Sequence, residues 1–116
     1  MIVAVQGTNA FDNYQVFLRA MAVALSGLSK DDPYFFIYTA GPKNINNMVS
    51  EFSNLSEKGL KARGKKIKFY PVAPEWIDEN MQDVSHFAFL SNPNEQLSKL
   101  ASSAQLKNID VGIYQY

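Results

Sequence analysis

Five short apolar runs alternate with stretches of helical periodicity along 116 residues, and this rhythm leaves the chain very few architectures. Ile2 to Val5 is apolar at every position and ends at Gly7, as a strand buried on both faces does. Tyr34 to Thr39 is rich in aromatic and β-branched residues and halts at Gly41-Pro42, which predicts a second buried strand. In Lys66 to Val72, Ile67, Phe69 and Pro71 alternate with Lys68 and Tyr70, the pattern of a third strand at a sheet edge. His86 to Leu90 and Val111 to Tyr114 predict the fourth and fifth.

The intervening segments carry one apolar stripe each. Asp12 offers a helix cap, after which Tyr14, Phe17, Met21, Ala24, Leu25 and Leu28 recur at three- and four-residue spacing until Gly27. From Asn44 onward Ile45, Met48, Val49, Phe52 and Leu55 keep helical spacing, with Gly59 and Gly64 leaving the helix end open. Pro74 opens a short helix with Glu75, Asp78 and Glu79 near its positive end. Asn92-Pro93-Asn94 is a breaker, and Leu97, Leu100, Ala101 and Ala104 mark the last amphipathic helix.

Parallel strands need crossovers of a dozen or more residues, usually helical, and these segments have that length. The expected fold class is therefore α/β: a three-layer, Rossmann-like open parallel sheet of about five strands flanked by helices, forming a single domain over 1–116. With strand order 3-2-1-4-5, the switch point falls between strands 1 and 4, and a ligand should meet the loops at Gly7 and Ser91.

Composition narrows the function classes. Eleven basic residues balance eleven acidic ones, so the whole molecule has no long-range field for a polyanion or an acidic membrane. The chain has no cysteine, which excludes disulfides, thiolate metal sites and a cysteine nucleophile. No apolar run reaches the length of a membrane helix, and MIVAVQG is too short for a signal peptide, so a cytoplasmic location is expected. No cofactor or metal-ligand spacing is recognised.

Several residues invite a functional and a structural reading together. Gly7-Thr8-Asn9 sits before a helix, where free backbone N–H groups suit a phosphate or carboxylate, or it forms a tight turn in which Asn9 or Asp12 caps the helix. Lys43 follows Gly41-Pro42 and either meets a phosphate or is a solvated turn lysine. Asn44 reads best as a cap, while Asn46 caps or bonds a base or ribose. His86, the sole histidine, reads as structural. Trp76 either stacks on a base or covers the sheet edge.

Lys58, Lys61, Arg63, Lys65, Lys66 and Lys68 place six of the eleven basic residues within eleven positions. A helix carboxyl end favours cations, and no aromatic interrupts the run before Phe69, so a solvated face is the favoured reading and a polyanion patch for nucleic acid the minority one.

The segment Val3 to Tyr14, VAVQGTNAFDNY, resembles the opening of the SLOG superfamily, particularly its YspA-like branch, through Gly7, Phe11, Asp12 and Tyr14. Asn9 stands where that branch usually carries arginine. Thr39 to Asn46 occupies the place of the family's glycine-rich loop and keeps Gly41, and Leu60 to Trp76 and His86 to Tyr116 follow its later units. The resemblance implies a Rossmann-like domain for nucleotides or nucleotide-derived molecules, often self-associating into homodimers or larger homo-oligomers, and often carried by phages. Related lysine-decarboxylase-like hydrolases keep an acid after strand 4, where this chain has Ser91-Asn92-Pro93-Asn94-Glu95.

On that basis the ligand-binding residues are expected to be Gly7, Thr8, Asn9, Gly41, Lys43, Asn46, Ser91 and Asn92. If the chain cleaves a glycosidic bond, Glu95 at the start of the last helix and Asp12 are the catalytic candidates, although Glu95 equally suits a helix dipole. A third possibility is a ligand-free interaction module using Tyr70, Trp76, Tyr114 and Tyr116.

Overall fold

The computed structural model describes residues 1–115, so Tyr116 lies outside the described residues. Five strands, β1 (Ile2–Gly7), β2 (Tyr34–Thr39), β3 (Lys66–Pro71), β4 (His86–Ser91) and β5 (Val111–Gln115), form one sheet in the order β3-β2-β1-β4-β5. Every pairing is parallel, in the registers Ile2↔Phe36, Val3↔His86, Tyr34↔Lys66 and Phe87↔Val111. The helices are α1 (Tyr14–Ser26), α2 (Lys43–Ala62), α3 (Pro74–Glu79) and α4 (Lys99–Leu106), and a 3-10 turn at Met81–Asp83, which the sequence pattern does not announce, follows α3. The fold is the expected α/β class, with helices on both faces of the sheet.

Each face has its own core. On one side Val3, Val5, Phe35, Ile37, Ala88 and Leu90 meet α1 through Phe17, Ala20 and Met21 and α2 through Ile45, Val49 and Phe52. On the other, Ala4, Phe87 and Phe89 meet Ile77, Met81, Leu100, Ala101 and Ala104. All six residues of β4 are buried, as are Val3, Ala4 and Val5 of β1, which is why these strands read as continuous apolar runs. No helix among the described residues is long and apolar enough to cross a membrane.

Three local expectations are corrected. Asn13, not Asp12 or Asn9, caps α1: its Oδ1 accepts from the Val16 N–H at 3.1 Å. The flanking residue one step nearer the helix holds the extended conformation a cap needs. Asn44 does not cap α2, because the helix already starts at Lys43; its Nδ2 instead donates to Thr8 O at 3.2 Å and Phe11 O at 2.7 Å, tying α2 to the loop after β1. Glu95 is outside α4, which begins four residues later under a Ser98 cap.

The basic run is not one solvated face either. Lys65 is buried, and its ammonium donates to the carbonyls of Ser29, Lys30 and Asp32 at 2.7–2.8 Å, fastening the α1–β2 linker to the start of β3. His86 is structural: Nδ1 lies 2.8 Å from Asp110 Oδ2 and Nε2 lies 3.0 Å from the Tyr114 hydroxyl. Tyr114 is accordingly a half-buried core residue, not an exposed interface aromatic. Its ring crosses Gly112, where a Cβ would stand 2.5 Å from the hydroxyl oxygen.

Burial, helped by the Asp110 carboxylate, raises the Tyr114 phenol above its ordinary value. The folded state thus favours the neutral phenol, and this contribution is present below pH 10 and lost as pH rises beyond it. Tyr114→Phe should therefore flatten the alkaline limb of a plot of melting temperature against pH. Gly7 gives a second test: an added Cβ would lie 2.7 Å from Ile45 Cδ1 and 2.9 Å from Leu90 O. Gly7→Ala should cost about 1–3 kcal/mol of stability in chemical denaturation.

Candidate functional site

The crossover from β1 runs to the α1–α2 face and the crossover from β4 to the α4 face, so the loops leaving these neighbouring strands diverge. Between them, at the carboxyl ends of the strands, lies a cleft of about 520 Å3. Its walls are Gln6 to Ala10 from β1 and its loop, Ala40 to Pro42 from the loop after β2, and Glu95 from the loop after β4.

The wall is held by hydrogen bonds between loops. The Gly7 N–H donates to Gly41 O at 3.1 Å and the Thr8 N–H to Leu90 O at 3.0 Å. Both amides are thereby spent, so Gly7 serves close packing against Ile45 rather than phosphate binding. Glu95 Oε1 accepts from Thr8 Oγ1 at 2.8 Å and from the Asn92 N–H at 2.6 Å. Its carboxylate therefore bridges the loops after β1 and β4, and Asn92 Nδ2 adds a 3.4 Å bond to Ala10 O. Gly41, at φ 85°, makes a turn that a residue with a Cβ would strain.

Of the ten residues singled out in the sequence, Gly7, Thr8, Asn9, Gly41 and Glu95 line the cleft. Asp12 is exposed and Lys43 occupies the first, exposed position of α2; neither lines it. Asn46 Oδ1 accepts from Thr39 Oγ1 at 2.7 Å, and buried Ser91 accepts from Gln115 Nε2 at 3.2 Å, so both are engaged within the fold. Asn92 braces the wall from behind.

Gln6, Ala10, Ala40 and Pro42 were not foreseen as lining residues. Gln6 had a signal, being the one polar residue at the end of an otherwise apolar strand, and its Oε1 accepts from the Ser98 hydroxyl. Pro42 precedes α2, whose amino end has no side-chain cap and no acidic residue in its first turn. That end leaves backbone N–H groups and positive dipole beside the cleft. Among the described residues no group of three or more histidines or carboxylates is arranged to hold a metal ion.

Fold and cleft together define an open, doubly wound α/β domain with a small-molecule-sized recess at its switch point. Comparison of the chain with family models, curated proteins and solved structures gives no match. Removing the central brace gives a direct check on the wall: Glu95→Ala should cost about 1 kcal/mol and accelerate hydrogen exchange at the Asn92 amide, with the amides of β4 unaffected.

Proposed function

We propose that this chain is a binding domain for a nucleotide-derived small molecule, held at the switch point in the manner the SLOG resemblance implies. The observation that carries this reading is the Glu95 carboxylate, positioned by Thr8 and Asn92 on the wall of a cleft lined by no cation. A fixed carboxylate accepts hydroxyl donors, and the hydroxyls of a ribose are such donors. Gln6, Thr8 and Asn9 supply neutral polar groups beside it.

A phosphate belongs elsewhere on this ligand. Glu95 would repel it, and the Gly7 and Thr8 amides are already bonded. The uncapped amino end of α2, with Lys43 at its first position, is the favourable anion site next to the cleft. The ligand would then span the recess, sugar towards Glu95 and phosphate towards α2.

Binding without chemistry is the simpler reading because the second carboxylate proposed for hydrolysis, Asp12, does not line the cleft. A thermal-shift screen with nucleosides, mononucleotides, NAD and ADP-ribose, each mixture then chromatographed, tests it. A ligand at a hundred times its Kd should add about 2.7 kcal/mol of stability. Lys43→Ala should weaken phosphorylated ligands and spare the matching nucleoside. Product formation abolished by Glu95→Gln would replace binding by glycosidic hydrolysis, and no shift with any of these compounds would sink both.

A further inference from the structure

The α3–α4 layer covers only part of its face of the sheet. α3 is six residues long and α4 eight, and their buried side chains join the core over β1 and β4. Over β2 and β3 the same face carries Tyr34, Phe36 and Tyr38 beside Lys66, Lys68 and Tyr70, paired in register. Tyr34, Lys66, Lys68 and Tyr70 are exposed, and Phe36 and Tyr38 are half-buried.

The rings are mutually ordered. Tyr38 stacks on Tyr70 at 5.0 Å between centroids and on Trp76 of α3 at 4.4 Å, with interplanar angles of 25° and 18°. Phe36 meets Tyr70 edge-on at 6.1 Å and Tyr34 at 5.2 Å. Trp76, 38% exposed, ends the stack.

Beside this row, Lys66 and Lys68 form no ion pair among the described residues. Both also line a groove of about 610 Å3 along the outer edge of β3, which Lys61 joins from α2. Glu57 is the one carboxylate among the described residues that line the groove. Ser53, 6% exposed, borders it with an Oγ that has no hydrogen-bond partner among the described residues. Asp78, the α3 carboxylate facing α4, is taken by Ser103 and Lys107.

The geometry points to single-stranded nucleic acid as the occupant of this face, with bases on the exposed rings of Tyr34, Tyr70 and Trp76 and phosphates along Lys66 and Lys68. Successive same-face residues of a strand stand roughly 6.6 Å apart, twice its rise, so rings and ammonium groups repeat side by side in two parallel rows. A single strand presents the matching pair of rows, bases on one side and phosphates on the other. A duplex hides its base faces, and a second copy of this chain would set lysine rows against each other. This inference is independent of the cleft at the switch point.

The test uses the full chain with fluorescein-labelled twelve-residue oligo-dT and oligo-U and a DNA duplex of equal length, by fluorescence anisotropy at low salt. Both single strands should bind more tightly than the duplex and quench the fluorescence of Trp76, the chain's sole tryptophan. Lys66→Gln/Lys68→Gln should lower the slope of log affinity against log salt by about 1.4, from roughly 0.7 per phosphate contact. Trp76→Ala should bind at least about fivefold more weakly, the lower bound for one lost base stack. The lysine variants alter only exposed side chains, so they remain decisive if Trp76→Ala unfolds. Absent binding, equal affinity for the duplex, or loss of binding in the lysine variants without Trp76 quenching in the wild type would overturn the proposal. So would a concentration-dependent dimer in sedimentation that these substitutions abolish, since the face would then be a contact between copies.

Discussion

Burial of β1 and β4 on both faces is the constraint from which the remaining architecture follows. Two adjacent strands with no polar side must be roofed and floored by helices, and the connections supply these only by leaving in opposite directions. Divergence of the two loops is the geometric result, and the recess between them is present because the core demands it. The loops are then fastened by the bonds Gly7–Gly41, Thr8–Leu90 and Thr8–Glu95. Stability and the shape of the recess are consequently set by the same residues.

The two helical layers are unequal. α2 runs for twenty residues and, with α1, covers its face of the sheet from β3 to β5, whereas the opposite layer is made of short pieces gathered over β1, β4 and β5. The uncovered part of the sheet is not left as loose apolar surface. Its side chains pack against each other laterally, Trp76 on Tyr38 on Tyr70, while lysines take the edge positions. Edge lysines also discourage pairing of β3 with a strand of another molecule.

Much of the fold was legible because burial leaves a periodic trace. The five strands and the four helices follow from apolar runs and helical spacing, while the order β3-β2-β1-β4-β5 enters the sequence reading only as the arrangement assumed for the switch point. Capping departs from expectation at Asp12, where neighbouring Asn13 offers equivalent chemistry and backbone dihedrals decide between them, and at Asn44, which lies inside a helix that has no side-chain cap. About half of the anticipated site residues line the cleft. Gly7 and Thr8 are readable from their place at a strand end and Glu95 from the acid the resemblance sets after strand 4, yet the spending of the Gly7 and Thr8 amides on Gly41 and Leu90 is a tertiary fact with no sequence signature. The association of aromatics with lysines was hidden for a related reason. It runs across β2 and β3, so a scan along the basic run meets no aromatic before Phe69, although Tyr34, Phe36 and Tyr38 lie alongside.

Lys65 shows how different members of one charge cluster can be. Three backbone carbonyls surround its ammonium much as oxygen ligands surround a bound alkali ion, and a shell of that kind leaves the nitrogen little access to a reagent. Lys66 and Lys68, one and three residues along the chain, are exposed. An acylating reagent or acetyltransferase meeting this segment would therefore discriminate sharply among near neighbours. Acyl groups would accumulate on the exposed amines, while Lys65 would be modified only in molecules whose linker had come away from the sheet, making its acylation a record of local opening.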